Sequence, residues 1–434
     1  MENRKHTPAH RGTTKRSTVT AHNAVAAHSA VAARSAVALC GIGTEKVVSN
    51  ELKKLDISVI ESGFGRVRFH ADTTGLYRSL MGLRAADRVL LEIGQFHAAD
   101  FDALFDETGA VAWEKLVPAH LGVKVAKVRA NRSRLRSETS IQAMVHKAVA
   151  QRLCRAYSLV RLPETDTAAE LRVYIEKDMV SLLLDLSGDP LFKRGYRKKG
   201  GIAPLRETTA AALLLLSGWK RKYPLYDPFC GSGTILAEAQ MYAWDMAPGL
   251  GRDFAISKLL IADGKIEEKV RDEFRAKINY ERRIRIAGSD ADIDAVRLAT
   301  ANLWAVRDIA DDGIHGNDVP TNHVSANNTP ANKIPELRQA PMDKAQSPFE
   351  TDETDETAGF IVTNPPYGKR LGNQAESQRV YAEMAVLTRN FPGWKLAVIC
   401  DPPGFESFFG RKADSCREIS NGPDPSYFFQ YGRL

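Results

Sequence analysis

The spacing of apolar residues divides the chain into two α/β halves. Between residues 37 and 93, short apolar runs with strand spacing alternate with stretches at 45–55 and 74–83 that have helical spacing. An alternation of strands and helices in this order is typical of a ferredoxin-like module. We therefore assign residues 37–75 to a ferredoxin-like domain, which begins an α+β half.

The second half contains short apolar runs that are typical of strands buried on both faces. These runs occur at 225–227, 284–287, 360–362, 396–400 and 427–431, and helical patterns follow the first three. Strands that alternate with helices favour a mostly parallel sheet covered by helices on both faces. The predicted fold class is therefore α/β, with a Rossmann-like, doubly wound sheet after the α+β half.

Two stretches have no periodic apolar pattern. Residues 1–36 are basic, and residues 320–357 are rich in Asn, Pro, Thr, Ser and acidic residues. Neither composition buries enough apolar surface to offset the entropy of ordering, so we predict a disordered basic tail and a disordered insertion. An Arg-rich, acid-poor start also occurs in organelle transit peptides. We favour the untargeted tail.

The overall composition adds a basic charge balance. The formal net charge of +7 and the isoelectric point near 9.0 suit a polyanionic partner such as RNA. No apolar run approaches the ~20 residues of a membrane span. The five cysteines contain no C-x-x-C pair, so neither a zinc site nor a disulfide framework is indicated. A reducing cytoplasm is the expected location.

A glycine turn follows the first buried strand of the second half. The turn suits contacts to a cofactor from Asp227, Pro228, Cys230, Gly231, Gly233 and Thr234. Its glycines let the backbone approach a ligand closely. The third glycine of a dinucleotide fingerprint is missing, since Leu236 stands there, and no Gly-Lys-Ser/Thr follows. The turn therefore favours a ligand with an amino group and no phosphate, such as S-adenosylmethionine.

A second polar turn follows the strand predicted at 360–362. It consists of Asn364, Pro365, Pro366 and Tyr367, and it stands where open α/β sheets bind ligands. The prolines leave backbone carbonyls unpaired, so the Asn364 amide and a proline carbonyl can accept both hydrogens of an exocyclic amino group. Tyr367 offers a face on which a flipped-out base can stack. Taken alone, the motif also fits a plain turn closed by prolines.

Two further positions are candidates for the adenosyl part of the cofactor. Asp290 stands at the end of the second predicted strand, where a carboxylate accepts both ribose hydroxyls in nucleotide-binding sheets. Asp292 is the second choice for this role. Asp318 stands where such folds place the residue that meets the adenine amino group.

Basic residues crowd two segments that suit phosphates. The first is a strand and loop before a helix that Ser137 is expected to cap, and it carries Lys124, Lys127, Arg129, Arg132, Arg134 and Arg136. The second is the linker 187–200, in which Arg194 and Arg197 flank Tyr196. Basic residues interleaved with an aromatic ring suit single-stranded or flipped-out RNA. A solvated charged face and a soluble hinge are the respective alternatives.

Together, the two turns resemble motif I and the catalytic motif IV of class I amino-methyltransferases. The surrounding sequence is similar to the THUMP-domain RNA methyltransferases, in the stretches Leu186-Ser187-Gly188-Asp189, Arg194-Gly195-Tyr196-Arg197, Ala203-Pro204-Leu205-Arg206-Glu207-Thr208, Ala247-Pro248-Gly249-Leu250, Gly393-Trp394-Lys395 and Phe409-Gly410-Arg411-Lys412-Ala413-Asp414. The resemblance covers the chain from about residue 38 to its end. It implies a THUMP RNA-binding domain at 76–187 and a methyltransferase domain at 188–434, with Thr208 on a helix beside the cofactor.

The resemblance also implies an activity. The best-known bacterial members of this family make N2-methylguanosine in large-subunit ribosomal RNA, so methylation of guanine N2 in 23S rRNA is the expected reaction. The first alternative is methylation of adenine N6 in RNA or DNA, because Asn-Pro-Pro-Tyr also occurs in such enzymes. The second is a non-catalytic RNA-binding or ribosome-assembly protein. The intact Asp227, Gly231, Gly233, Asn364 and Tyr367 favour an enzyme.

Overall fold

The first strand includes residues that the sequence assigns to the basic tail. A computed structural model describes residues 33–165, 167–197, 205–279, 281–315, 334–349, 359–366, 374–400, 404–420 and 425–434. Strand β1 spans Arg34–Cys40, so the predicted limit of the tail at 36 is corrected to 33. Ala36 is fully buried because β1 pairs with a strand on each side, which an Ala-rich sequence does not reveal. The predicted tail up to residue 32 lies outside the described residues.

The first half alternates strands and helices, as its apolar pattern predicts. After β1 these elements are α1 (Glu45–Lys54), β2 (Ser58–Gly63), β3 (Arg66–Ala71), α2 (Thr73–Gly82), β4 (Ala86–His97), α3 (Phe101–Ala110), β5 (Gly122–Asn131), α4 (Glu138–Tyr157), β6 (Ala168–Glu176) and β7 (Met179–Asp185). Ser137 caps α4 as expected, since its hydroxyl accepts the Ser140 N–H. The β6–β7 hairpin turns at Lys177 and Asp178, whose φ angles of 51° and 62° match the twist of the flanking strands.

These strands form one mixed sheet in the order β2-β3-β1-β4-β7-β6-β5. Strand β4 is 12 residues long; its first part pairs with β1 and its second part with β7, both antiparallel. The ferredoxin-like unit therefore needs α2 and β4 for completion. The predicted boundary at 75 falls inside α2 and is corrected, because one long strand serves both predicted domains.

The second half begins after the linker. Its elements are α5 (Glu207–Ser217), β8 (Leu225–Asp227), α6 (Thr234–Ala243), α7 (Gly264–Arg275), β9 (Ile286–Asp290), α8 (Ile293–His315), β10 (Glu336–Gln339), β11 (Phe360–Thr363), α9 (Gln374–Glu383), α10 (Leu387–Asn390), β12 (Lys395–Cys400), α11 (Phe405–Phe409), β13 (Ser415–Ser420) and β14 (Pro425–Tyr431). The sheet order is β10-β9-β8-β11-β12-β14-β13. The first five strands are parallel, and β14 and β13 add an antiparallel hairpin. The predicted Rossmann-like class is confirmed.

The predicted insertion at 320–357 contains ordered structure. Strand β10 pairs in parallel with β9, and Met342 and Ala345 are buried behind it. The Asn390 side chain donates a hydrogen bond to the Ala345 carbonyl (2.8 Å). The prediction missed this part because an exposed edge strand such as β10 has no apolar period. Residues 320–333 and 350–357 lie outside the described residues, and their disorder stays a prediction.

We expect the two parts of this segment to respond differently to replacement by a Gly/Ser linker. Replacing residues 334–346 removes an edge strand and the buried Met342, and a buried Met side chain alone accounts for about 2–5 kcal/mol. Replacing residues 320–333 should change the free energy of unfolding little, because loop-closure entropy varies slowly with loop length. Thermal denaturation of the two variants measures the difference. Equal destabilisation by both replacements would contradict the assignment.

The two halves contact each other within one compact unit, residues 33–434. The Ser420 N–H of β13 donates to the Ile42 carbonyl (3.1 Å), and a Cβ on Gly43 would lie 2.4 Å from the Glu418 carbonyl oxygen. Arg78 on α2 forms an ion pair with Glu273 on α7 (2.8 Å). Among the described residues, no helix combines the length and the apolar character needed to cross a membrane.

Candidate active site

Three neighbouring parallel strands bring the predicted site residues to one edge of the second sheet. Strand β8 ends at Asp227, β9 ends at Asp290, and Asn364 follows β11 directly. Their carboxyl ends meet because the strands are parallel neighbours. The Asp227 Oδ1 atom accepts hydrogen bonds from the Thr363 hydroxyl (2.6 Å) and the Phe229 N–H (3.1 Å). The two sequence motifs are thus in direct contact.

Asp227 is buried, with 1% of its surface exposed. Burial raises the pKa of Asp227 to about 7, although the hydrogen bonds from Thr363 and Phe229 lower it. A carboxylate in such a place is stabilised in its charged form by an opposite charge at close range. The site therefore suits the ammonium group of a ligand, and this observation fits S-adenosylmethionine.

The glycine turn adopts a conformation that favours glycine. Gly231 and Gly233 have φ angles of 51° and 76°, and a Cβ on Gly233 would lie 2.9 Å from the Ala299 Cβ. The Gly231 N–H donates to the Asp290 carboxylate (2.9 Å), which joins the turn to β9. Helix α6 then begins at Thr234. The tight turn thus places the first residue of α6 beside the ends of β8 and β9.

A cavity of about 360 Å³ lies beside this turn. The predicted residues that line it are Asp227, Cys230, Gly231, Thr234 and Asn364. Burial raises the pKa of the Cys230 thiol, so this thiol is not poised as a nucleophile. The buried Pro228 and the strained Gly233 shape the turn and are absent from the lining within the described part. The predicted cofactor contacts of the turn stay predictions.

Asn364 lines this cavity and carries a buried acceptor. The residue is 9% exposed, and its Oδ1 atom is buried without a hydrogen-bond partner among the described residues. A buried acceptor left unpaired costs about 1–3 kcal/mol, so such an atom is expected to meet a donor during function. Pro365 is buried and Pro366 is half-buried, while Tyr367 lies outside the described residues.

The predicted adenosyl contacts have different outcomes. Asp290 ends β9 as expected, but its carboxylate accepts the backbone N–H groups of Gly231 and Asp292. Asp292, the second choice for the ribose, lines the cavity together with Asp294. The choice between Asp290 and Asp292 stays open, and Asp318 lies outside the described residues.

Three predicted contact residues have side chains that are engaged by other parts of the chain. The Thr208 hydroxyl donates to Asp87 of the first half (2.5 Å), and Thr208 does not line the cavity within the described part. Arg194 is 3% exposed and is paired with Glu238 (3.2 Å), so it is unavailable to RNA. Arg197 has 15% of its side chain exposed and contacts Thr234, and its binding of RNA stays a prediction.

The basic residues predicted on the first half are mostly exposed. Lys124, Arg129, Arg132, Arg134 and Arg136 are exposed, and Lys127 is half-buried. Arg129 pairs with Glu138 (3.0 Å) and Arg134 with Asp178 (3.6 Å). Their binding of RNA stays a prediction.

Lys124 opens onto a basic groove that the sequence did not reveal. The groove, of about 1340 Å³, lies between the edge strand β5, helix α4 and residues 159–165. Its other charged residues are Lys147, Arg155, Arg161 and Glu164. Lys147 and Arg155 are eight residues apart on α4, so they lie on one face, and this spacing is a signal that could have found them. We call this feature the β5–α4 groove.

Two family models match the chain. The model described as RMKL-like, methyltransferase domain matches residues 194–310 and 314–426, and the model described as RlmL ferredoxin-like domain matches residues 35–90. The chain belongs to the RMKL-like methyltransferase family. The family match confirms the predicted methyltransferase fold, and the ferredoxin-like match at 35–90 overlaps the predicted domain at 37–75.

The chain is also similar to known proteins over most of its length. It is 31% identical to YpsC of Bacillus subtilis (strain 168), named for a proposed RNA methyltransferase activity, across 91% of this chain and 94% of YpsC. It is 30% identical to the ribosomal RNA large subunit methyltransferase K/L of Syntrophotalea carbinolica (strain DSM 2380 / NBRC 103641 / GraBd1), across 88% of this chain and 51% of that protein. The chain thus matches about half the length of the second relative.

A solved structure supports the predicted cofactor. SMU.472, a proposed methyltransferase crystallised with SAH, superposes with a TM-score of 0.79 at 31% identity, over 93% of this chain and 98% of that chain. S-adenosylmethionine as the cofactor of this methyltransferase is therefore confirmed. The residues that contact it are a separate matter, which the described geometry addresses through Asp227 and the glycine turn.

Proposed function

We propose that this chain methylates an exocyclic amino group of a base in RNA, namely guanine N2 in 23S rRNA, in the cytoplasm. The observation that carries the proposal is that Asn364, whose buried Oδ1 has no hydrogen-bond partner among the described residues, lines the same cavity as Asp227. The name of the K/L relative supports a large-subunit rRNA substrate. The basic first half, for which THUMP remains our prediction, supports RNA as the partner.

In the proposed mechanism, the protein aligns the target amino group and tunes its electronics. Asn364 Oδ1 accepts one amino hydrogen and the Pro365 carbonyl accepts the other. These two bonds draw the nitrogen lone pair out of conjugation with the ring, and they place the nitrogen for attack. S-adenosylmethionine supplies the methyl group. The methylated nitrogen is acidic, so its proton can leave to solvent and no strong base is required.

Nucleoside mass spectrometry tests the reaction and the position. Purified protein, S-adenosylmethionine and rRNA from a strain that lacks the gene should yield N2-methylguanosine. N6-methyladenosine in place of N2-methylguanosine would favour the adenine alternative. RNA binding without any methylated nucleoside would favour the non-catalytic alternative.

We expect the β5–α4 groove to contact RNA phosphates. The variant Lys124→Ala/Lys147→Ala/Arg155→Ala should reduce the slope of log affinity against log salt by roughly 0.7–0.9 per lost phosphate contact. The matched control is Lys54→Ala/Lys265→Ala/Lys269→Ala, since these exposed lysines lie outside the groove. Filter-binding titrations at several salt concentrations measure the slope. A slope lowered equally by both triple variants would reject the groove as the RNA site.

A further inference from the structure

Arg197 lies beside the first residue of α6 and lines a neighbouring cavity of about 950 Å³, and among the described residues it is linked to the candidate cofactor cavity through Thr234. Its guanidinium donates a hydrogen bond to the Thr234 hydroxyl (2.6 Å). Thr234 is the first residue of α6 and lines the cavity. The Arg197 side chain is 15% exposed, so water screens its charge only in part.

A second arginine in the same segment determines where Arg197 lies. Arg194 forms a buried ion pair with Glu238 of α6 (3.2 Å), and the two side chains are 2% and 0% exposed. Glu238 is one helical turn after Thr234. The two arginines therefore contact residues four apart on one face of α6. This register places Arg197 at the N-terminal end of the helix.

The guanidinium of Arg197 has unused donor capacity. Its Nε atom is buried and makes no hydrogen bond within the described residues, although Glu207 lies 3.4 Å away as an ion-pair partner. Burial raises the pKa of Glu207, and the charge of Arg197 opposes this effect. Arg197 is thus held in place on one side by Glu207 and on the other by Thr234.

The charged residues that line the cavity are all acidic among the described residues. Asp227, Asp292 and Asp294 line it, whereas its lining contains neither Lys nor Arg among the described residues. The methionine part of the cofactor carries both an ammonium and a carboxylate. The ammonium has a partner in Asp227, and the carboxylate needs a positive partner. Arg197 supplies one beside the N-terminus of α6, which itself favours negative charge.

We propose that Arg197 binds the carboxylate of the methionine part of S-adenosylmethionine. This assignment rests on the proposed cofactor site, and it replaces the RNA-binding role that the sequence predicts for the residue. In this arrangement Asp227 binds the ammonium and Arg197 binds the carboxylate, and the two residues lie at opposite ends of the glycine turn. A ligand without the carboxylate loses the contact to Arg197 and keeps the contact to Asp227.

Calorimetry without RNA tests the assignment through two matched ligands, S-adenosylmethionine and its decarboxylated form. Wild-type protein should prefer S-adenosylmethionine by roughly 10- to 100-fold, as expected for a hydrogen bond between charged groups. Arg197→Gln should abolish the preference, because it should lower the affinity only for the ligand that carries the carboxylate. Arg197→Lys should keep part of the preference, because it retains the charge without the planar fork.

The matched control is Arg206→Gln. Arg206 is 48% exposed and pairs with Asp87 of the first half (3.6 Å), whereas Arg197 contacts Thr234 of the cavity lining, so the loss of Arg206 should leave the preference unchanged. Equal weakening of both ligands by Arg197→Gln would assign the arginine a structural role and overturn the proposal. Wild-type binding of both ligands without a preference would also overturn it. Failure of wild-type protein to bind either ligand would instead reject the cofactor site itself, and the proposal with it.

Discussion

Replacing Asn364 by alanine should lower the rate of methyl transfer by ~10²–10³-fold, the usual loss when one preorganised polar partner of the reacting group is removed. The reason is that Asn364 Oδ1 has no hydrogen-bond partner among the described residues and is free to accept an amino hydrogen of the target base. Affinities for cofactor and RNA should stay near wild type, because other residues supply those contacts. Single-turnover methylation and separate binding titrations measure the two effects.

Two further measurements make this prediction specific. Asn364→Asp keeps an acceptor at the same position, so it should retain more activity than alanine. Because the alanine variant removes a buried acceptor that has no partner among the described residues, its melting temperature should match or exceed that of wild type. A normal methylation rate, or a variant that simply fails to bind cofactor, would show that Asn364 does not hold the target amino group.

Replacing Asp227 by asparagine should lower the affinity for S-adenosylmethionine by at least about 30-fold. The reason is that loss of one partner of a buried charge pair costs about 2–5 kcal/mol of binding free energy. Asparagine keeps an acceptor for Thr363 and the Phe229 N–H, so circular dichroism should stay native. Calorimetry measures the affinity. An unchanged affinity would reject Asp227 as the partner of the ligand ammonium.

The pH dependence of binding gives Asp227 a second, independent test. Burial raises the pKa of Asp227 to about 7, so the free protein holds a proton there below this pH. An ammonium ligand binds the ionised form, and the proton must leave on binding. Affinity should therefore rise by about tenfold per pH unit below pH 7 and level off above it. The asparagine variant should lose this dependence, and a wild-type affinity that is flat between pH 5.5 and 7 would contradict the assignment.

The raised pKa of Asp227 also affects the stability of the ligand-free protein. This stability should fall as the pH rises, whereas the affinity for the ligand should rise. An aspartate with a raised folded-state pKa holds more protons folded than unfolded between the unfolded value of about 3.9 and about 7. Its contribution to stability therefore falls as the pH rises through this window. The asparagine variant should gain stability relative to wild type over the same window, as denaturation at several pH values would show.

The sequence predicted best those features that depend on a few neighbouring residues. Ser137 caps α4 through the Ser140 N–H, three residues away, and the Lys177–Asp178 turn joins two adjacent strands. The glycine turn before α6 likewise depends on the positive φ angles of two of its own residues, Gly231 and Gly233. Such interactions join residues within a few positions of each other, so residue type and spacing are sufficient to predict them.

The sequence did not reveal where a partner from a distant segment engages a side chain. Arg194 and Glu238 are 44 residues apart and form a buried pair, while Thr208 and Asp87 are 121 residues apart and share a hydrogen bond. A basic or polar residue in a linker gives no local sign of such burial. Strand β10 was missed for a related reason, because parallel pairing with β9 defines it and its own apolar pattern does not.

The sequence by itself determined the two-part α/β organisation, the glycine turn and the Asn-Pro-Pro-Tyr motif, and hence the methyltransferase family. Only the tertiary structure decided that Asp227 and Thr363 share a hydrogen bond, that the Asn364 acceptor has no partner among the described residues, and that Arg197 lies beside Thr234. The physical reason is that periodicity and turn chemistry act within a few residues. Burial and charge at the site depend on strand order, which brings residues 136 positions apart into contact.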